Sequence, residues 1–180
     1  LPFWIFEHLG GMSLFGGYLV GVLWHAHEMV FGFAVAVITG FLFTAARNWT
    51  GFDTPSGAPL AALAGLWLAA RVLLITGPGM IAAVVDALFL PLVALALWLP
   101  LRRARSQNQF FVAILLGFAA LNIAFHVAHL QRTDWPALSA VEGALAMVVL
   151  MVTIMAGRVV PSFTANAIPT ARVRRYGWLD

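Results

Sequence analysis

The sequence contains no cysteine and no lysine, and only 9% of its residues are charged. Without cysteine it has no disulfide framework, thiolate metal site or cysteine nucleophile, so a transition metal needs histidine, carboxylate or methionine ligands. Hydrophobic residues make up 62% of the 180 residues, and such a chain lacks the polar side chains that coat a soluble globule. This composition excludes a cytosolic enzyme, a disordered chain and a nucleic-acid-binding domain.

The hydrophobic residues fall into runs long enough to cross a membrane. A spanning helix needs about 20 apolar residues, and its backbone groups must be hydrogen-bonded within the segment. We therefore predict an all-α, polytopic transmembrane helix bundle of about six spans over residues 1–158, followed by a basic cytoplasmic tail or linker over 159–180. The predicted spans are roughly 3–23, 26–46, 59–77, 80–100, 110–130 and 138–157.

The placement of arginine predicts the orientation of these spans. Eight of the ten arginines lie after the second span, after the fourth span or in the tail, which share one side of the membrane if all six segments cross. Loops on the cytoplasmic side carry the excess of arginine, so this side is predicted to be cytoplasmic. We see no cleavable signal peptide before the first span, and expect a chain that is clipped at Leu1 or begins inside a longer parent.

Two groups of polar residues inside the spans are predicted to meet near the outer leaflet. Ionisable groups in a membrane are costly and usually face the interior of the bundle. Four histidines and one carboxylate at one depth predict metal or haem ligation, while interfacial or hydrogen-bonding histidines are the alternative. The two groups are His25, His27 and Glu28 in the second span, and Asn122, His126 and His129 in the fifth.

Helical spacing limits how these histidines can act together. His126 and His129 share a helix face, whereas His25 and His27 differ by about 200° on a regular helix and cannot easily bind one ion together. Glu28 lies on the predicted face of His25, where a carboxylate is expected to orient the imidazole.

Charged residues elsewhere in the spans also need an explanation. Arg71 and Asp86 lie on either side of the turn at Pro78, and antiparallel helices place them at similar depth as an ion pair. Alternatively, Arg71 binds a haem propionate or another anion. We expect Glu142 to lie at the membrane–water interface. We expect the side chain of Arg158 to extend to the inner surface of the membrane.

Several motifs resemble the NnrS family over roughly residues 24–168. The most specific are the WHAHEM stretch at residues 24–29 and the GRVVPSFTAN stretch at residues 157–166. Weaker similarity lies in the segments around Gly40, Trp49, Asp86 and Asn122. By position, the residues that match the family's motifs are His25, His27, Glu28, His126 and Arg158.

The resemblance implies a multi-pass protein of the bacterial inner membrane that contains haem, expected to be b-type, and copper. It also implies a role in nitric oxide metabolism and resistance to nitrosative stress, with nitric oxide or a related small molecule as ligand. Family members are usually about twice as long, near twelve spans, so a further six-helix half or a redox partner is a candidate partner beside the lipid bilayer. Nucleic acid is not an expected partner.

The resemblance leaves open which histidine binds iron and which binds copper, and whether the protein is an enzyme. The candidate cofactor-binding residues are His25, His27, His126 and Arg71, and the candidate metal ligands are His25, His27, His126 and His129. The candidate supporting residues are Glu28, Asn122, Asp86 and Arg158. Two alternative functions are electron transfer by a b-type cytochrome-like protein, and a transporter or metal-handling protein whose path is lined by Arg71, Asp86 and Glu142.

Overall fold

The computed structural model describes residues 18–19, 21–132 and 134–167, and this part of the chain is almost entirely helical. Five of its helices are long and apolar enough to cross a membrane. The predicted all-α, multi-pass transmembrane fold is thereby confirmed. The helices are α1 (Gly21–Thr50), α2 (Ala58–Thr76), α3 (Gly79–Arg103), α4 (Phe110–Leu130) and α5 (Asp134–Ala167).

The five helices correspond to the second to sixth predicted spans. The first predicted span, 3–23, lies outside the described residues except for its end, and residues 21–23 of it belong to α1. Helix α5 continues past the predicted end at residue 157 to Ala167, so the predicted tail begins as helix. Residues 168–180, with the rest of that tail, lie outside the described residues.

Glycine and proline set the ends of the helices. At the end of α1, Gly51 has a φ of 69°, a left-handed conformation that side chains disfavour, and its N–H donates to the carbonyl of Arg47 at 2.9 Å. Helix α2 ends where the N–H of Gly77 donates to the carbonyl of Leu73, and Pro78 then precedes α3. This short turn makes α2 and α3 a helical hairpin.

Helix α1 contains a π-helical segment at Glu28–Ala34. Such segments are rare, and they occur frequently at functional sites. Here the indole N–H of Trp67 on α2 donates to the carbonyl of Gly32 at 3.1 Å. The irregular part of α1 is therefore tied to α2 by a side-chain hydrogen bond.

Helix α3 is the most extensively packed helix of the hairpin, with contacts to α1, α2 and α4. Its buried side chains include Phe89, Leu90 and Leu97, and large aromatic side chains of α1 and α4 complete the core. By its contacts the chain divides into two compact units, Leu1–Ala144 and Leu145–Asp180. All of the polar cluster described next lies in the first unit.

Candidate metal centre

Three ionisable side chains from three helices meet in the core of the first unit. Nε2 of His126 on α4 lies 2.9 Å from Oδ2 of Asp86 on α3, and Nε2 of His27 on α1 lies 3.3 Å from the same oxygen. The side chains of His27 and Asp86 are 0% and 3% exposed. The predicted convergence of the second and fifth spans is thus observed, with one histidine from each.

Asn122 connects the two sides of this cluster. Its Nδ2 donates to Oδ2 of Asp86 at 2.8 Å, and its Oδ1 lies 3.0 Å from Nε2 of His27. Because an amide oxygen only accepts, His27 donates from Nε2 in this arrangement. Asn122 therefore fixes the orientation of both a carboxylate and an imidazole.

Arg71 links Asp86 to a second carboxylate. Its Nη2 forms an ion pair with Oδ1 of Asp86, as predicted from their positions around Pro78. Its Nη1 donates to Oε1 of Glu28 at 2.9 Å. Two carboxylates thus face one guanidinium, and with neutral histidines the cluster carries a formal charge of −1. A buried net charge is costly, so this arrangement favours a bound cation or an added proton.

Glu28 lies beside His27, and its predicted role beside His25 stays a prediction. Its Oε1 is 3.5 Å from Nδ1 of His27, close enough for an ion pair but without a hydrogen bond. Within the described residues that buried Nδ1 has no hydrogen-bond partner. The π-helical segment begins at Glu28, so the angular spacing of a regular α-helix does not hold from there on.

Gly32 provides the space in which Arg71 and Glu28 meet. A Cβ atom at Gly32 would lie 2.7 Å from Nη1 of Arg71 and 2.7 Å from Oε2 of Glu28. A larger residue would therefore require the end of at least one of these side chains to shift. The glycine of the π-helical segment leaves room for the ion pair in its present position.

The ligand atoms of His27, Asp86 and His126 have the spacing of a metal site. All three lie within 4.8 Å of one another, and all three residues are buried. Two ligands about 2.0–2.1 Å from one ion lie roughly 2.9–3.4 Å apart at angles between 90° and 110°. The observed 2.9 and 3.3 Å fall in that range. Two imidazoles and one carboxylate suit copper, iron or zinc.

The other sequence candidates lie outside this group of three. His129 has Nε2 3.0 Å from the carbonyl oxygen of Tyr18. His25 is half-buried on α1, and Glu142 on α5 is exposed, in keeping with its interpretation as interfacial. Arg158 lies on α5 in the second unit. The assignment of His25 and His129 to a metal or cofactor, and of Arg158 to a supporting role, stays a prediction.

Sequence reasoning missed two features of the cluster. Asp86 was expected as the ion-pair partner of Arg71, as a supporting residue or as part of a transport path, but not as a ligand, yet its second oxygen lies among the ligand atoms. Tyr18 was not a candidate at all, although its hydroxyl lies 3.3 Å from Nδ1 of His126. Tyr18 lies in the bend before α1, outside the five spans, and burial raises its pKa to about 12. No motif or spacing in the sequence signals its role.

The fold and the cluster define a class: a multi-pass α-helical membrane protein with a buried histidine–carboxylate site. Comparison with protein families places it more closely, since the family model described as NnrS protein matches residues 1–180. The chain belongs to the NnrS family, which points to a nitric-oxide-related membrane protein. No curated protein and no solved structure matches the chain.

Proposed function

We propose that this chain is a metalloprotein of the bacterial inner membrane that acts in nitric oxide metabolism and in resistance to nitrosative stress. The family supports the connection with nitric oxide, and five apolar helices support the membrane location. The observation that supports the metal is the convergence of two imidazole nitrogens and one carboxylate oxygen in the buried core. Copper is the proposed ion, because the resemblance to the family selects it among the metals that suit this donor set.

The surroundings of the cluster support a cation of this kind. The two carboxylates and Arg71 leave a formal charge of −1, which a cuprous ion would neutralise. The unpartnered Nδ1 of His27 is a second argument. When Nε2 of a histidine binds a metal, Nδ1 carries the proton and typically donates to a carboxylate, and Oε1 of Glu28 lies 3.5 Å away. A bound copper ion would supply one-electron chemistry and a coordination position for a small ligand.

A haem iron fits this cluster less well than a single ion. An axial imidazole must point at a planar macrocycle, whereas Nε2 of His27 and of His126 both face Asp86 within 3.3 Å. The b-type haem expected from the resemblance would then take its axial ligand from another histidine, for which His25 and His129 are the described candidates. This arrangement also weighs against a cytochrome with His27 and His126 as a bis-histidine pair.

Metal analysis of the purified protein tests the proposal. We expect about one copper per chain in mild detergent, lost in His27→Ala and in His126→Ala. Thr44→Ala is the matched control on the same helix, because its exposed hydroxyl donates to the carbonyl of Gly40, and it should keep its copper. Full copper in His126→Ala, or iron or zinc in place of copper, would contradict the copper assignment.

Two further measurements separate the remaining parts of the proposal. A reduced-minus-oxidised absorption spectrum reports haem, and its loss in His25→Ala or in His129→Ala would identify the axial ligand. Survival of a bacterial strain exposed to a nitric oxide donor reports the cellular role. Cells that carry His126→Ala should then be as sensitive as cells that lack the protein. Equal protection by the wild type and by His126→Ala would show that the function does not depend on the cluster.

A further inference from the structure

Tyr18 packs on the side of His126 that faces away from Asp86. Its hydroxyl lies 3.3 Å from Nδ1 of His126 and also 3.3 Å from the backbone carbonyl oxygen of that residue. The two rings stack with centroids 5.7 Å apart. One imidazole thus has a carboxylate at Nε2 and a phenol at Nδ1.

The position of Tyr18 is fixed by contacts on several sides. Its carbonyl oxygen lies 3.0 Å from Nε2 of His129, and the N–H of the next residue, Leu19, donates to the carbonyl of Leu74 at 3.2 Å. The ring lies against Gly79, where an added Cβ would be 2.5 Å from Cδ2 of the tyrosine. The hydroxyl is therefore held over His126 by the ends of α2, α3 and α4.

The hydrogen bonds define the tautomer of His126 when no metal is bound. A carboxylate oxygen only accepts, so the 2.9 Å contact with Asp86 places the proton on Nε2. Nδ1 of the neutral ring is then an acceptor, and the hydroxyl of Tyr18 donates to it. In this state the phenol stabilises the tautomer whose Nε2 is not available to a metal.

A metal ion at Nε2 requires the other tautomer. The ring must lose the Nε2 proton and carry a proton on Nδ1, so the number of protons on the imidazole is unchanged. Nδ1 then needs an acceptor, and the oxygen of Tyr18 is in place for it. The hydroxyl hydrogen can turn to the carbonyl oxygen of His126, which is the second acceptor at 3.3 Å.

We propose that Tyr18 is a positioning residue of the candidate metal centre, whose hydroxyl serves both tautomers of His126 and so fixes Nε2 as the ligand atom. The inference rests on the proposed function, because it concerns the same site. The phenol can serve in both ways because a hydroxyl both donates and accepts. Glu28 occupies the corresponding place beside Nδ1 of His27, so each imidazole has an oxygen partner behind it.

The test uses Tyr18→Phe, which keeps the ring and its packing and removes only the hydroxyl. The probe is Cu⁺ supplied without oxygen, with affinity measured by competition against a chromogenic chelator. We expect the variant to bind Cu⁺ about 10–100-fold more weakly than the wild type. Thr44→Ala, which removes an exposed hydroxyl that donates to the carbonyl of Gly40, is the control and should bind like the wild type. Equal affinity of Tyr18→Phe and the wild type would overturn the inference.

Nitrogen NMR of protein with ¹⁵N-labelled histidine shows which ring nitrogen of His126 carries the proton. A purely structural role of Tyr18 would not change this result. We expect the proton of His126 on Nε2 without copper and on Nδ1 with Cu⁺ bound, and a changed Nδ1 resonance in metal-free Tyr18→Phe. This measurement on the wild type needs no variant to fold, and coordination of Cu⁺ through Nδ1 would overturn the inference. Failure of the wild type to bind Cu⁺ would overturn the proposed function as well, whereas binding that is indifferent to Tyr18 would overturn the inference alone.

Discussion

Arg71 and Asp86 form an ion pair in the core of the α2–α3 hairpin, with side chains only 10% and 3% exposed. The guanidinium of Arg71 also donates a hydrogen bond to Glu28. The carboxylate of Asp86 also accepts hydrogen bonds from Asn122 and His126. The pair therefore connects the charged and the imidazole-bearing halves of the cluster. The net contribution of a buried ion pair to stability is small, because its attraction mainly offsets the cost of desolvation. Removing one partner is much more destabilising, because it leaves a buried charge unpaired.

Arg71→Met should destabilise the protein strongly. Removing the guanidinium leaves Asp86 and Glu28 without their shared cation in a dry core, which is expected to cost about 3–5 kcal/mol. The measurement is the melting temperature in mild detergent. Arg47→Met is the matched control. Nη2 of Arg47 lies 3.3 Å from Oδ1 of Asp53, and the two side chains are 66% and 86% exposed. That exposed pair should contribute about 1 kcal/mol or less, and equal losses in the two variants would refute the prediction.

Gly32→Ala should disturb the site although glycine carries no functional group. The added Cβ would meet Arg71 and Glu28 at 2.7 Å, so one of them must move, at a cost of about 1–3 kcal/mol. Gly40→Ala on the same helix is the control, since a Cβ there meets nothing within 4 Å. It should be neutral or stabilising, because alanine favours a helix by roughly 0.5–1 kcal/mol. Melting temperatures that fall equally in both variants would show that Gly32 has no special role.

The fold and the meeting of the second and fifth predicted spans could be predicted from the sequence because they depend on coarse properties. Twenty-residue apolar runs define spans, and the alternation of spans places the start of α1 and the end of α4 at the same membrane depth. The same reasoning paired Arg71 with Asp86, since both are about two helical turns from Pro78. These predictions need only chain length and direction.

The choice of ligands could not be predicted, because it depends on local geometry. A regular helix assigned Glu28 to the face of His25, and nothing in that spacing shows that the carboxylate also lies 3.5 Å from Nδ1 of His27. No pattern shows that one oxygen of Asp86 pairs with Arg71 while the other faces two imidazoles. Tyr18 reaches His126 across 108 positions of sequence, a contact that only packing reveals.

Stability in alkali should depend on Tyr18. Burial raises its pKa from 10.0 to about 12, so between these values the folded protein keeps a phenol proton that the unfolded chain releases. The stability that this residue contributes is complete below pH 10 and is lost as the pH rises through 12. We expect the melting temperature of the wild type to fall more between pH 9 and pH 11.5 than that of Tyr18→Phe. Parallel curves for the two proteins would show that the folded structure does not change the titration of Tyr18.

Asn122→Leu should weaken copper binding without abolishing it. The amide orients Asp86 through Nδ2 but supplies none of the three ligand atoms, and its contact with Nε2 of His27 belongs to the metal-free state, in which that nitrogen carries a proton. Loss of such an orienting group typically lowers metal affinity by about 10–100-fold. Competition with a chelator should show this loss while metal analysis at saturating copper still finds one ion per chain.

His126→Ala provides the contrast for Asn122→Leu, because it removes a proposed ligand and should lower the copper content itself. The same comparison shows whether the amide of Asn122 is a copper ligand or only stabilises the fold. If Asn122→Leu also loses all copper while its melting temperature stays near that of the wild type, the amide oxygen is itself a ligand. If its affinity is unchanged, the hydrogen bonds of Asn122 serve the fold alone, and the position of Asp86 must then depend on Arg71 and His126.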